Sequence, residues 1–207
     1  MKTSADAVLA EIQRNESFAR DHLLKGESVY AAECIAAWES CGEIVLQQTQ
    51  IDLIYKAVEQ WPRLAQQVYA QAVANNLIPL LVSCTRHHEL AQQLFTHHSA
   101  VVRCACARWL DLALYLREDP VAYVRAACTL HYEVAEWLMA DTDILVLSNI
   151  ATKHEQLAFR LTGHHLPEVR LACMQWPSSL ELLLDDPNPS VASLAFQKWS
   201  GTPTSAF

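Results

Sequence analysis

Residues 119–140, DPVAYVRAACTLHYEVAEWLMA, form a unit whose pattern recurs along most of the chain. The position of its cysteine recurs every 22 or 23 residues, in the series Cys84, Cys106, Cys128, Ile150, Cys173 and Ala195. An apolar residue stands four positions earlier each time, as Leu80, Val102, Val124, Val146, Val169 and Val191. A leucine stands ten positions later in four units, as Leu94, Leu116, Leu138 and Leu183, and Leu161 is displaced by a one-residue insertion. A fixed period above about 20 residues predicts stacked copies of one small structural unit.

The residue types within the unit favour helices over strands. Ala, Leu, Gln and Glu are plentiful and form helices readily, whereas the 207-residue chain has only four glycines. Asp119-Pro120 and Asp186-Pro187 predict turns between units, with Asp141-Thr142 in the same register. We therefore predict an all-α fold, a right-handed α-solenoid of 22–23-residue helical repeats.

The repeats are assigned to residues 54–199, with an N-terminal helical cap at 1–53 and a flexible tail at 200–207, in one continuous domain. Before the first clear repeat we predict helices from Ser4 to about Leu24, Ser28 to near Gly42, Glu43 to Gln60, and Arg63 to Ala74. Gly26 and Trp61-Pro62 are the predicted stops, because glycine caps helix ends and proline clashes with the preceding turn.

The repeat pattern is clearest in Val102-Arg103, Asp119-Pro120 with residues 124–127, and residues 167–172, 176–180 and 186–191. These stretches resemble the HEAT-like and leucine-rich-repeat-variant families of α-solenoids. The resemblance covers residues 79–199 and extends into 54–78, and the short unit is closer to the variant repeat than to the longer HEAT unit. Val146-Leu147 and Val191-Ala192 depart from the pattern because they lack its arginine. The resemblance implies a binding scaffold.

The seven cysteines are predicted to be reduced, structural thiols. Helices of neighbouring repeats pack about 8–10 Å apart, whereas a disulfide requires Cα atoms within about 7 Å. The sequence contains no Cys-x-x-Cys pair, which argues against a zinc or iron–sulfur site. The repeat cysteines are therefore expected to face the core as small apolar residues.

A second recurring feature pairs arginines with turn aspartates. Arg103, Arg125 and Arg170 each follow the apolar residue of their unit, and Asp119, Asp141 and Asp186 lie in the turns. Charge-assisted hydrogen bonds between an arginine and a carboxylate fix geometry strongly. We expect these residues to form a structural network between neighbouring repeats.

An aromatic and basic series follows the apolar residue by seven positions, as His87, Trp109, His131, Lys153, Trp176 and Lys198, with Trp61 at the matching place after Ile54. One position later stand His88, Leu110, Tyr132, His154, Pro177 and Trp199. Trp and Tyr are favoured at binding hot spots. The same offsets also define one helix face, so packing in the core is the other interpretation.

An acidic series lies one residue further on, as Glu89, Asp111, Glu133 and Glu155. Four recurring carboxylates would suit a basic partner. Acids at helix starts also complement the helix dipole, and the two roles are compatible.

The histidines do not predict a metal site. His88-Glu89 and His154-Glu155 resemble the His-Glu pairs of the HEAT-repeat di-iron hydroxylases. They lie three repeats apart, or about 25–30 Å at the packing distance of helices. His97-His98 and His164-His165, in the turns, are equally remote from each other. We predict no catalytic, metal or cofactor residues.

The overall composition favours a cytoplasmic protein with a protein partner. The net charge is −8, whereas nucleic-acid binders usually show a basic face. No apolar run approaches the about 20 residues that cross a bilayer, and no signal-peptide core follows Met1.

Two classes of function follow from the sequence. The first is a non-enzymatic scaffold, adaptor, or inhibitor or immunity-type protein that engages a basic partner through Trp109, Asp111, His131, Tyr132, Glu133, His154, Glu155 and Trp176. The alternative is a nucleic-acid enzyme similar to the HEAT-like alkylpurine DNA glycosylases, in which Trp109, Asp111 and Trp176 would line a groove. The basic groove such enzymes need is missing from the sequence pattern.

Overall fold

A computed structural model describes residues 4–24, 28–47 and 51–201. Within these ranges the chain forms seventeen α-helices, three short 3-10 helices and no strand. The predicted all-α class is therefore confirmed. The chain divides into two compact units, Met1–Cys106 and Ala107–Phe207, which we call unit 1 and unit 2.

Unit 1 contains nine α-helices among its described residues. They are α1 Ser4–Arg14, α2 Glu16–Leu24, α3 Ala31–Ala37, α4 Glu39–Leu46, α5 Ile51–Gln60, α6 Pro62–Ala74, α7 Ile78–Cys84, α8 His88–Leu94 and α9 Ala100–Cys106, with a 3-10 helix at Ser28–Tyr30. The helices come in pairs, and the first helices of successive pairs contact each other in the order α1, α3, α5, α7 and α9.

Unit 2 has the same arrangement of paired helices. They are α10 Leu110–Leu116, α11 Ala122–Cys128, α12 Tyr132–Trp137, α13 Ile144–Lys153, α14 Glu155–Leu161, α15 Pro167–Cys173, α16 Pro177–Leu180 and α17 Pro189–Trp199, with 3-10 helices at Leu138–Ala140 and Glu181–Leu183. First helices again contact in the order α11, α13, α15 and α17, and the second helices α14 and α16 also touch.

Three helices predicted for the N-terminal segment are divided in the structure. The predicted helix from Ser4 to Leu24 breaks at Asn15, whose Oδ1 accepts a hydrogen bond from the Phe18 N–H. The second breaks at Trp38, and the third is split between α4 and α5. The Trp61-Pro62 stop is confirmed, since α5 ends at Gln60 and α6 begins at Pro62. The predicted stop at Gly26 and most of the tail, residues 202–207, lie outside the described residues.

The recurring cysteine position forms the centre of the core. All six members of the series, Cys84, Cys106, Cys128, Ile150, Cys173 and Ala195, are 0 % exposed. The apolar residues four positions earlier are also fully buried from Val102 onward, whereas Leu80 is half-buried and Leu81 takes the buried place. Leu161 is buried and Arg160 exposed, which confirms the displacement by one residue. The 22–23-residue spacing therefore reports burial correctly.

The buried cysteines carry free thiols, as predicted. Burial raises the pKa of the Cys84 thiol to about 11 and that of Cys106 and Cys173 to about 12. The thiolate is the reactive form, so burial and protonation both suppress chemistry at these sites.

We expect no more than one of the seven thiols to react rapidly with a bulky disulfide reagent in native buffer. That thiol is Cys104, because it is half-buried while the other six are buried. All seven should react after denaturation, which absorbance of the released thiolate would measure. Rapid native labelling of Cys84, Cys106, Cys128 and Cys173 would contradict the observed core.

Two arginine–aspartate pairs hold the turns of unit 2, in agreement with the predicted network. Arg125 binds Asp141 through Nε–Oδ2 at 2.7 Å and Nη2–Oδ1 at 3.1 Å. Arg170 binds Asp186 through the same atoms at 2.6 and 2.7 Å. Each arginine also donates from Nη1 to the backbone carbonyl six residues before it. Each pair thereby joins two successive turns.

The turn position is occupied by aspartate or by histidine, and both side chains accept the same backbone hydrogen bond. Side chains of Asp119, Asp141 and Asp186 accept a hydrogen bond from the backbone N–H two residues on. His97 and His164 accept the same bond at Nδ1, from Ser99 at 3.1 Å and Leu166 at 3.2 Å.

Whether the turn residue is aspartate or histidine correlates with the residue about 16 positions earlier in the sequence. An arginine stands 16 residues before each of the three aspartates, as Arg103, Arg125 and Arg170. The buried Leu81 stands 16 residues before His97, and the buried Leu147 stands 17 residues before His164 because of the one-residue insertion. A carboxylate sheltered from water needs a paired cation, whereas a neutral imidazole does not. Histidine therefore replaces aspartate where the arginine is missing.

We expect the fold to lose stability as the pH falls below about 6.5, the usual pKa of histidine. Burial, helped by the neighbouring His98 and Arg103, lowers the pKa of His97, and burial with His165 and Arg170 lowers that of His164. Below about pH 6.5 the unfolded chain therefore binds more protons than the folded one. The stability that the two neutral histidines contribute is complete above about pH 6.5, and it is lost as the pH falls from there through their lower pKa in the folded protein.

Thermal melts of the wild type and of His164→Asn between pH 8 and 5 would measure this loss. Asparagine accepts the same N–H bond without titrating, so the variant should show the smaller decrease. Identical pH profiles would contradict a role for His164.

Candidate functional site

Four of the predicted partner-binding residues, Trp109, His131, His154 and Trp176, are half-buried and directly precede the second helices α10, α12, α14 and α16. The ring nitrogens of three of them bond to backbone carbonyls of the preceding pair. His131 Nε2 lies 3.0 Å from the Ala107 oxygen, His154 Nε2 2.6 Å from Thr129, and Trp176 Nε1 2.7 Å from Ala151. A carbonyl only accepts, so the histidine Nε2 atoms carry protons.

The same bond occurs in unit 1, including the segment where no repeat pattern was visible in the sequence. Trp38 Nε1 donates to the Ile12 oxygen at 2.7 Å and Trp61 Nε1 to the Ile35 oxygen at 2.8 Å. His87 Nε2 bonds to the Val58 oxygen at 2.6 Å. This recurrence favours the packing interpretation of the aromatic and basic series.

The structure also corrects the alignment of that series around the insertion. Lys153 was expected in line with His131, but it is the last residue of α13, and His154 precedes α14 instead. The extra residue falls before the second helix because α13 is three residues longer than α11. Glu155 is consequently level with Tyr132 and Gln156 with Glu133. Lys198 and Trp199 lie inside α17, with no second helix after them among the described residues.

The exposed side of the second helices in unit 2 is formed by the first, second, fifth and sixth residues after Trp109, His131, His154 and Trp176. We call these sixteen positions the second-helix face. They are Leu110, Asp111, Leu114, Tyr115, Tyr132, Glu133, Glu136, Trp137, Glu155, Gln156, Phe159, Arg160, Pro177, Ser178, Glu181 and Leu182, and all are exposed. The third, fourth and seventh residues of each segment are buried.

The second-helix face combines carboxylates with large apolar side chains. It carries five acids and a single base, Arg160, whose Nη1 lies 3.0 Å from Glu136 Oε1. Its apolar members, each 40 to 71 % exposed, are Leu110, Leu114, Tyr115, Tyr132, Trp137, Phe159 and Leu182. Contiguous exposed apolar surface bordered by polar groups is typical of interaction sites.

Contacts between neighbouring helices make this face continuous. The Tyr132 hydroxyl donates to Gln156 Oε1 at 3.2 Å, and its ring meets that of His154 edge-on at 5.5 Å. Ser178 Oγ donates to Glu155 Oε1 at 2.7 Å. The Arg117 guanidinium lies 4.4 Å above the Trp137 ring and holds it in place.

The equivalent positions of α6 and α8 in unit 1 lack large apolar side chains, whereas those of α4 include the half-buried Ile44. In α6 they are Pro62, Arg63, Gln66 and Gln67, and in α8 they are His88, Glu89, Gln92 and Gln93. Neither set contains a large apolar side chain. The same helical framework therefore carries an apolar and acidic surface in unit 2 and a glutamine-rich surface on these helices.

The structure separates the eight predicted partner-binding residues into two groups. Asp111, Tyr132, Glu133 and Glu155 are exposed on the second-helix face. Trp109, His131, His154 and Trp176 lie beneath it at the helix starts. The sequence reasoning missed Tyr115, Trp137 and Phe159, although each follows the previous one by 22 residues.

Other kinds of site find no support in the residues that the structure describes. No group of three or more His, Cys, Asp or Glu side chains there could hold a metal ion. Nor is any helix in the described ranges long and apolar enough to cross a membrane. Comparison with protein-family models, curated proteins and solved structures found no match to this chain.

Proposed function

We propose that the protein is a non-enzymatic binding scaffold, an adaptor or an inhibitor or immunity-type protein, that engages a basic protein in the cytoplasm. The observation that carries this proposal is the second-helix face, where five carboxylates stand among seven exposed apolar side chains. Residues 107–207 contain seven basic and twelve acidic residues, so the surroundings also attract cations. Complementary charge accelerates encounter and selects partners.

We also infer that the helix pairs are repeats of a right-handed α-solenoid of the HEAT-like or leucine-rich-repeat-variant kind. Two bonds that recur from pair to pair support this inference: the ring nitrogen to the carbonyl of the preceding pair, and the turn side chain to the N–H two residues on. Repeated contacts of this kind are typical of solenoids.

The glycosylase alternative gains no comparable support. It needs Trp109 and Trp176 as groove-lining rings, but the Trp176 indole donates to the Ala151 carbonyl and the ring is half-buried. A basic groove for DNA would also have to form beside Asp111 and Glu133, which are exposed acids.

Reversing Asp111 and Glu133 to lysine is expected to abolish capture of the basic partner while the fold survives. Exposed substitutions usually change stability by within about ±0.5 kcal/mol each, with a similar loss from the helix dipole. Glu168→Lys is the matched control, because Glu168 is also an exposed second residue of a helix, on α15.

Affinity capture from nuclease-treated lysate, followed by mass spectrometry, would compare the three proteins. The proposal expects the same basic proteins with the wild type and Glu168→Lys, lost from the double variant and at raised salt. The proposal would be wrong if the double variant captured the same basic proteins as the wild type. It would also be wrong if the purified chain excised alkylated bases from duplex DNA.

A further inference from the structure

The second-helix face offers few hydrogen-bond donors to the C=O groups of an extended peptide, although its carboxylates can accept from N–H groups. Its only amide side chain, Gln156, already accepts the Tyr132 hydroxyl, and Ser178 already donates to Glu155. The described residues contain no strand whose edge a peptide could extend. An extended peptide would leave most of its own C=O groups without partners at the interface, and such groups are costly to bury. A helix satisfies its backbone internally.

The apolar side chains of the face are spaced as a helix would require. Each second helix contributes a large side chain at its fifth or sixth position: Tyr115, Trp137, Phe159 and Leu182, which are 71, 49, 51 and 50 % exposed, with Leu114 beside Tyr115 on α10. Packed helices lie about 8–10 Å apart, and residues seven apart in a helix are separated by about 10.5 Å. A partner helix of about 16–20 residues would therefore reach all four side chains.

The charges of the face favour a basic helix over a second copy of this chain. Asp111, Glu133, Glu136, Glu155 and Glu181 surround the apolar side chains. Two such faces packed together would oppose carboxylates to carboxylates, and like charges across an interface cost several kcal/mol. Lysines and arginines beside an apolar stripe would instead pair with these acids.

We propose that the second-helix face of unit 2 binds an amphipathic helix that carries lysine or arginine on both sides of an apolar stripe. The proposal rests on the proposed function and names the structural class of its partner. Trp137, whose ring contacts the Arg117 guanidinium, is one of the anchors of this face. Binding of an apolar helix face to side-chain anchors at regular intervals is a common recognition mode.

Three labelled 18-residue peptides test the proposal by fluorescence anisotropy. The first places leucines on one helix face and lysines on the other, the second has the same composition with the leucines spread evenly around the helix, and the third replaces lysine by glutamate. The test variant is Phe159→Gln with Leu182→Gln, which copies the glutamines at the matching positions of unit 1. Leu145→Gln is the control, since Leu145 is 46 % exposed but lies on the first helix α13.

The first peptide should bind at least about tenfold more tightly than the second, and the double variant should weaken it about tenfold or more, as loss of anchor residues does. Leu145→Gln should leave its affinity unchanged, and the glutamate peptide should not bind. If both lysine peptides bound with equal affinity, and reversal of Asp111 and Glu133 weakened both, the proposal of a helical partner would be wrong. The proposed function, binding of a basic partner, would still be supported. If neither lysine peptide bound, the proposal of a helical partner would be wrong. The proposed function would fail separately if the double reversal of Asp111 and Glu133 left the capture of basic proteins from lysate unchanged.

Discussion

Replacing Asp186 by alanine is expected to lower the free energy of unfolding by about 3–5 kcal/mol, the usual cost of breaking a buried ion pair. The Arg170 and Asp186 side chains are only 8 and 2 % exposed, and two short hydrogen bonds join them. Without the carboxylate, the guanidinium would remain buried with its charge uncompensated. The midpoint of thermal unfolding should fall by roughly 6–20 °C, given about 2–4 °C per kcal/mol for a chain of this size.

The exposed pair of Glu136 and Arg160 is the control for this experiment. Its side chains are 52 and 54 % exposed, so Glu136→Ala should cost less than about 1 kcal/mol. Replacing both Arg170 and Asp186 by apolar residues should cost less than Asp186→Ala alone, because no charge is then left unpaired. Equal melting temperatures for Asp186→Ala and the wild type would show that the pair does not hold the turn.

Trp176→Ala is expected to lower the free energy of unfolding by about 3 kcal/mol, near the lower end of the range for large aromatic side chains. The ring is half-buried and its Nε1 donates to the Ala151 carbonyl, which would lose its partner. Trp176→Phe keeps most of the packing and should cost about 1 kcal/mol for the hydrogen bond. Denaturant unfolding followed by circular dichroism would measure both.

Trp137 supplies the contrasting tryptophan, because it is 49 % exposed and contacts Arg117. Trp137→Ala should lower the free energy of unfolding by only about 1 kcal/mol, the scale of an exposed cation–π contact. The same substitution should strongly weaken binding of the partner. If Trp176→Ala instead folded with wild-type stability and lost binding, Trp176 would belong to the interface and the packing interpretation would be wrong.

The core was predictable from the sequence because its period is strict. Cys106, Cys128 and Cys173 are small side chains at one recurring buried position, and the spacing identified that position without any structure. An arginine–aspartate network was also predicted from the spacing, and the structure shows that Arg125 pairs with Asp141 and Arg170 with Asp186. Buried positions tolerate few residue types, so their pattern persists from one helix pair to the next.

The N-terminal segment was harder to predict because its helix pairs do not share residue types with the later ones. Trp38 takes the structural place of His131, and its indole makes the same bond to a carbonyl. Two different side chains that each present one N–H are equivalent in the structure but not in a sequence pattern. His164 and Asp186 are likewise equivalent in the turns, where each side chain accepts a hydrogen bond from the backbone N–H two residues later.

The second-helix face could be predicted only in part, for a related reason. Its acids Asp111 and Glu133 recur at one position and were found, whereas Phe159 was missed although it follows Trp137 by the same 22 residues. Exposed positions are also free to vary in residue type. The contrast between Trp137 in unit 2 and Gln93 in unit 1 becomes visible only when helix starts are aligned in the structure.

Hydroxyl-radical footprinting of the chain, free and bound to the captured basic protein, tests the central claim most directly. Oxidation of Tyr115, Trp137 and Phe159 is expected to fall on binding, because these exposed rings lie on the second-helix face. Tyr123 on α11 and Phe196 on α17, which are 40 and 60 % exposed, should be oxidised as in the free protein. Protection of Tyr123 and Phe196 with no change at Trp137 and Phe159 would contradict the proposal that this face binds the partner.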